Sequence, residues 1–242
     1  MSIVEAKKFE PQSGTTLNLG ASGDDVILNN GVTLKTNTFK DSGGNTLWAS
    51  DGAGTLSSVN SGLQGGMSFI SSQPASSSAS LSFTSGIDST YDEYIFYFVN
   101  MNPATDNQDF QFQVSTDGGS SYGVAMTTTW FKAEHGETHG SADIDYQSHM
   151  DLANSTSYQP ITMGTGNDAD QSASGVLKLF APSNTTYVKQ FYSRVAHSRY
   201  NDGTQTAYCA GYINSTSAVN AVNFKFESGN IDAGTIYLYG IK

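Results

Sequence analysis

Apolar side chains at every second position constrain this chain more than any other feature. Tyr94, Phe96 and Phe98 fall on one side of an extended segment, as do Phe110, Phe112 and Val114. Val222, Phe224 and Phe226 repeat the pattern, with Lys225 and Glu227 on the opposite side. A period of two with one apolar and one polar side is the mark of an antiparallel sheet with one buried face. No segment carries an apolar stripe at the 3.6-residue spacing of a helix. Candidate strands lie near 67–70, 79–83, 94–100, 110–115, 125–131, 141–146, 159–163, 174–180, 189–197, 206–213, 221–227 and 235–239, about ten of which are expected to form. Pro74, Pro103, Pro160 and Pro182 fall between these segments or at their starts, where edge and turn prolines sit. The expectation is an all-β head over 67–242, an antiparallel β-sandwich of jelly-roll-like character.

The first 66 residues read differently. Leu17 and Leu19, Val26 and Leu28, and Val32 and Leu34 form short alternating pairs with glycines between them. Asn30-Gly31, Gly43-Gly44-Asn45 and Asp51-Gly52-Ala53-Gly54 are turn signals, and Leu47 and Trp48 sit between the last two. Such a segment cannot bury enough apolar surface alone, so residues 13–66 are expected to form a β stalk that gains its core from identical neighbours. Residues 1–12 are expected to be an anchoring arm, a short turn of helix or an extended segment that ends before Pro11; Gly62 to Gly66 reads as the boundary to the head.

Charge and cysteine narrow the functional classes. The formal net charge is −11, which opposes nucleic-acid binding, since that requires a basic footprint. Charged residues are only 14% of the chain while aromatics are 12%, a balance that suits β structure and sugar contact rather than disorder. The single cysteine, Cys209 in TAYCAGY, excludes an intrachain disulfide and reads as a buried strand thiol on the side opposite Tyr208 and Ala210. MSIVEAKKFEPQ has no apolar core of a signal peptide, and no run approaches the ~18 apolar residues of a membrane span. The chain is therefore expected to be made in a cytoplasm and not inserted in a membrane. The sequons at Asn154, Asn184 and Asn214 are expected to be products of composition.

Chemistry-bearing clusters are few. His135, His139, Asp143, Asp145 and His149 could supply metal ligands, but HGETH lacks the HExxH order and its glycines oppose a helix. Asn167, Asp168 and Asp170 offer oxygens without the glycine and terminal Glu of a calcium loop, and read as a solvated turn. Asp88, Asp92 and Glu93 precede a strand, and no nucleophile elbow, P-loop or dinucleotide fingerprint is present. No catalytic residue, cofactor or metal is expected. The candidate contacts are aromatics beside polar loops, where a ring and nearby acceptors can hold a glycan: Trp130, Tyr146, Tyr158 and Tyr200, with Tyr187 and Tyr192 beside them.

Three stretches resemble virion fibre and spike proteins of tailed bacteriophages. SGTTLNLGASGDDVILNNGVTLKT is similar to the Gly/Ser/Thr repeats of fibre shafts. IDSTYDEYIFYFVNMNPATDNQDFQFQVSTDGGSSY resembles a head segment of such proteins, and SGNIDAGTIYLYGIK a C-terminal strand ending in Leu-Tyr-Gly. The resemblance implies a homotrimer attached to other virion proteins through residues 1–66, with the head outward on the particle and touching a host surface glycan. It carries no catalytic residues. The shaft is short, so a stubby tail fibre or spike is expected, with a capsid decoration or head fibre as the alternative and a polysaccharide-cleaving tailspike as a third.

Overall fold

A computed structural model describes residues 36–41, 43–53, 56–59, 66–138 and 142–242. The chain divides into two units, Met1–Leu63 and Gln64–Lys242. The expected arm over 1–12, the leucine and valine pairs between Leu17 and Leu34, and the Asn30-Gly31 turn lie outside the described residues.

In the first unit, β1 (Thr38–Lys40), β2 (Thr46–Ser50) and β3 (Leu56–Val59) form a three-stranded antiparallel sheet in that order. The Gly43-Gly44-Asn45 signal forms the turn between β1 and β2. There the Asp41 carboxylate accepts the Asn45 N–H at 2.8 Å, and Gly44 takes a φ of +80° that only glycine adopts freely. Phe39 and Trp48 are register partners, and their rings stack at 5.7 Å with planes 6° apart. Phe39 stays 41% exposed, so this pair is not a closed core.

The second unit holds two sheets. The larger has eight strands and the smaller four. The larger contains β4 (Ser68–Pro74), β6 (Glu93–Pro103), β8 (Met126–Gly136), β9 (Ala142–Tyr146), β11 (Ala173–Phe180), β12 (Lys189–Arg199), β13 (Gly203–Ile213) and β15 (Ile231–Ile241), in spatial order 4-15-6-11-12-13-8-9. The smaller contains β5 (Leu81–Phe83), β7 (Phe110–Ser115), β10 (Gln159–Pro160) and β14 (Ala221–Phe226), in order 10-7-14-5. Every pairing is antiparallel, and no helix occurs among the described residues. Each of the twelve segments read as a candidate strand holds one, although β8, β12, β13 and β15 run further than the alternation suggested.

Phenylalanines stitch the two sheets face to face. Phe96 of β6 meets Phe83 of β5 at 5.4 Å and Phe224 of β14 at 5.2 Å. Phe98 of β6 meets Phe110 of β7 at 5.3 Å, and Phe191 of β12 meets Phe112 of β7 at 5.0 Å. Most of these contacts are edge-to-face, the arrangement ring quadrupoles favour. All seven rings are at most 3% exposed. Each stabilises the fold by roughly 1.5–3 kcal/mol through burial. Because Phe96, Phe98, Phe191 and Cys209 point into this core, their strand neighbours Tyr97, Tyr192 and Tyr208 point to the other side of the large sheet. Cys209 is 2% exposed and lies opposite Tyr208 and Ala210 as its alternation requires.

Candidate functional site

The outer face of the eight-stranded sheet is not uniformly polar. One register row crosses it from edge to edge: Ser72, Tyr237, Tyr97, Val176, Arg194, Tyr208, Phe131 and Tyr146, each directly opposite the next. Five of these eight are aromatic. Side chains directly opposite on one face are close enough to touch, so such a row is a continuous surface rather than scattered rings. Solvated sheet faces ordinarily carry polar side chains. In this row Tyr97, Phe131 and Tyr146 are exposed and Tyr237 and Tyr208 half-buried, an apolar content that solvated sheet faces seldom carry.

Two shallow hollows lie along it. The first, about 260 Å³, is lined by Met67, Tyr97, Val99, Tyr237 and Tyr239. Tyr239 packs edge-on against both Phe69, at 5.5 Å, and Tyr97, at 5.8 Å, and Phe69 is 58% exposed. The second, about 270 Å³, is lined by Thr129, Phe131, Tyr192, Arg194, Tyr208 and Ala210, among others. Phe131 and Tyr208 stack there with centroids 4.7 Å apart and planes 5° apart. The Arg194 guanidinium lies over the Tyr208 ring at 5.9 Å. Tyr192 borders this hollow, tilted against Phe180 at 5.9 Å with the Lys178 ammonium 5.9 Å from its ring centre. Glu93 holds that ammonium at 2.6 Å and pushes the lysine pKa up.

Of the four rings singled out from sequence, Tyr146 joins this face. It is 51% exposed on the edge strand β9, its hydroxyl donates to Asp151, and that bond raises the phenol pKa. Trp130 corrects the expectation. It is fully buried, and its indole Nε1–H donates to the Pro160 carbonyl at 3.1 Å, so it has no ring face for a sugar. Adjacent strand residues point to opposite faces, and it is Phe131 that turns outward. Tyr158 lies half-buried elsewhere; its hydroxyl donates to Asn223 at 2.9 Å, and Lys225 Nζ sits 4.7 Å from its ring centre. Tyr200 occupies the turn after β12, 43% exposed, under the Arg199 guanidinium at 5.5 Å. Tyr187, 70% exposed, precedes β12 and takes no part in the row. The sequence reading missed Tyr97, Phe131, Arg194, Tyr208, Tyr237 and Tyr239. For Tyr97 and Tyr208 the signal was present: once Phe96, Phe98 and Cys209 are assigned to the core, their strand neighbours must face out.

A separate cleft of about 260 Å³ is polar and holds part of the histidine-rich segment: Glu134, His135, Glu137, Arg199, Asn201 and Asp202 are among its lining. Glu134 is gripped by Lys132 at 2.7 Å and Arg199 at 2.9 Å and accepts from Gln205 Nε2 at 3.1 Å. Burial raises its pKa but these partners more than offset that, and the net shift is downward. Asp143 and Asp145 pair across from Glu134 and Lys132, His149 is exposed on the following turn, and His139 lies outside the described residues. Among the described residues no group of three or more His, Cys, Asp or Glu is placed to hold a metal ion. Asn167 and Asp168 spend their amides on Asp106 and Gln171, and so form a tied turn. Asp88 caps its own loop, accepting from Thr90 N–H at 2.7 Å and from the Tyr94 hydroxyl at 3.2 Å.

Fold and surface together define an all-β protein built of antiparallel sheets, with one aromatic outer face. No family model, curated protein or solved structure matches the chain.

Proposed function

We propose that this chain is a non-enzymatic virion attachment protein, a short trimeric fibre or spike of a tailed phage, whose β head contacts host-surface glycan through the outer aromatic face. The observation that carries the reading is the register row from Tyr237 to Tyr146, with Phe69 and Tyr239 extending it. Rings held against one another on a rigid sheet offer apolar edges and faces at little entropic cost, and the tyrosine hydroxyls supply hydrogen bonds to a sugar. The resemblance of the stalk, the Tyr-rich strand and the Leu-Tyr-Gly terminus to phage fibres supports the virion setting. Exposed Phe39 beside Trp48 in the small first sheet suits a segment completed by identical neighbours. Three heads per assembly would multiply weak sites into useful avidity. Two of the three carboxylates weighed ahead of β6 are held by local partners, Glu93 by Lys178 and Asp88 by its own loop, which suits a binding role.

The test uses the full chain. Light scattering is expected to give three chains per particle. A pull-down on encapsulated bacteria is expected to retain the protein, and to lose it after the surface polysaccharide is stripped or when Tyr97 and Phe69 are both changed to Ser. Binding to emptied capsids without binding to cells would make the protein a head decoration. Clearance of the polysaccharide would make it an enzyme. Dissociation of the trimer by the double substitution would assign the face to subunit contact instead.

A further inference from the structure

We infer that the Phe131–Tyr192–Arg194–Tyr208 hollow is a subsite for an acidic sugar, the carboxylate of the saccharide being held by Arg194 and its ring packed against the exposed aromatic edges. The inference rests on the glycan reading above and gives it a ligand class.

Arg194 stands apart from most of the other cations of its unit. Lys132 and Arg199 hold Glu134, and Lys178 holds Glu93. Lys189 is buried and donates to the Ser215 and Ser217 carbonyls at 3.0 and 2.6 Å, and Lys225 lies over Tyr158. Arg194 is exposed, its cross-strand neighbours are Val176 and Tyr208, and among the described residues no carboxylate pairs with it. Its guanidinium rests over the Tyr208 ring, which holds the planar fork in place and leaves its N–H groups for a ligand. A guanidinium fork matches a carboxylate with two parallel hydrogen bonds.

The surroundings select the kind of anion. A single guanidinium in an aromatic hollow matches one fixed carboxylate, whereas a phosphate backbone calls for a row of cations that this face does not carry among the described residues. The hollow is about 270 Å³, small beside the roughly 300–1,000 Å³ of drug-sized sites, and fits a single sugar residue of a longer chain. Phe131 and Tyr208 stack on one another, so a sugar meets their rims and the exposed Tyr192 ring, and the Tyr192 and Tyr208 hydroxyls can donate or accept beside it. Hexuronates and sialic acids share this chemistry of a carboxylate on a pyranose ring.

The experiment titrates the full chain with trigalacturonate, its methyl ester, sialyllactose and lactose, followed by calorimetry or saturation-transfer NMR. Binding of trigalacturonate or of sialyllactose, with the methyl ester and lactose weaker by about tenfold or more, is the expected result, and whichever acid binds identifies the source. Arg194→Gln, an exposed substitution, is expected to remove that difference while its unfolding transition matches the parent. Equal binding of acidic and neutral sugars overturns the acidic-sugar inference and leaves the glycan reading standing. Undiminished acid preference in Arg194→Gln places the carboxylate elsewhere and overturns it too. No binding of any of the four overturns the subsite, while retention on encapsulated cells in the pull-down would still support attachment.

Discussion

Tyr91 lies flat against Gly240: a Cβ on that glycine would come within 2.3 Å of the ring's Cγ and Cδ2 and 2.8 Å of its Cδ1. Gly240 belongs to the final strand β15, paired with Tyr94 of β6 and Ser68 of β4. Tyr91 in turn stands edge-on to the buried Tyr94 at 5.8 Å, and the Tyr94 hydroxyl accepts from Asp88 N–H at 2.9 Å. The absent side chain thus fixes the loop that leads into β6.

Gly240→Ala is therefore expected to destabilise the second unit by about 1–3 kcal/mol, the usual cost of forcing atoms into a packed contact. Urea denaturation of the two proteins reads this. Combining it with Tyr91→Ala should cost less than the sum of the two single changes, because the clash needs both partners. Additive costs would show that the ring does not press on the strand.

Trp130→Phe should lower stability by about 2 kcal/mol, through a partly empty site between the sheets and the loss of the Nε1–H bond to Pro160. Sugar or cell binding per folded molecule is expected to stay as in the parent. Phe131→Ser is the converse case: near-neutral in stability and damaging to binding. Reversal of these two outcomes would invalidate the assignment of faces.

The contrast between Trp130 and Phe131 marks where sequence was legible. Alternation placed the strands and named the core rings Phe96, Phe98, Phe110, Phe112 and Phe224, since apolar residues at period two leave one parity for the interior. In Thr127-Thr128-Thr129-Trp130-Phe131 both parities end on a large ring, and nothing local says which faces the second sheet. The deciding contacts are remote in sequence: the Pro160 carbonyl, and the Gln159 side chain that Thr128 Oγ1 meets at 2.6 Å. Cross-strand order was likewise hidden. Tyr97, Arg194, Tyr208 and Phe131 share a row only because β6, β11, β12, β13 and β8 lie side by side, an order fixed by long-range packing.

Cys209 offers a probe of the closed sandwich. It is 2% exposed, and burial pushes its thiol pKa well above the ordinary cysteine range, so the reactive thiolate is scarce in the folded state. A disulfide reagent at pH 8 should label no thiol in the native chain and one per chain in urea. Labelling of the native chain over hours, through local opening, should accelerate in Gly240→Ala only if β13 opens together with β15. Immediate labelling of the native protein would contradict the packing of β13 against the smaller sheet.

Acid dependence follows from two groups that hold consecutive residues. The His197 ring is buried and its Nε2 bonds the Met163 carbonyl at 3.0 Å; Asp109 accepts the Gly164 N–H at 2.8 Å. Burial, then the nearby Arg199 charge, push the imidazole down to about 4. Burial foremost, with Glu227 adding repulsion, pushes the Asp109 carboxyl up to about 6. The unfolded chain binds the histidine proton from about 6.5 downward while the folded chain resists it until about 4, so this group removes stability as pH falls across that window. Asp109 works the other way. The folded chain keeps its proton up to about 6 while the unfolded chain releases it near 3.8, so stability is lost as pH rises between those values. Each effect is on the order of 3 kcal/mol at full extent. Between pH 4 and 6 they oppose one another and flatten the profile of the parent. Asp109→Asn should therefore be more stable than the parent at pH 7, equal to it near pH 4, and should show the bare rise due to His197 between. Denaturation in urea at half-unit steps of pH measures both curves, and carboxylates elsewhere cancel in their difference. An unchanged profile in Asp109→Asn would mean that this carboxylate is not buried as described.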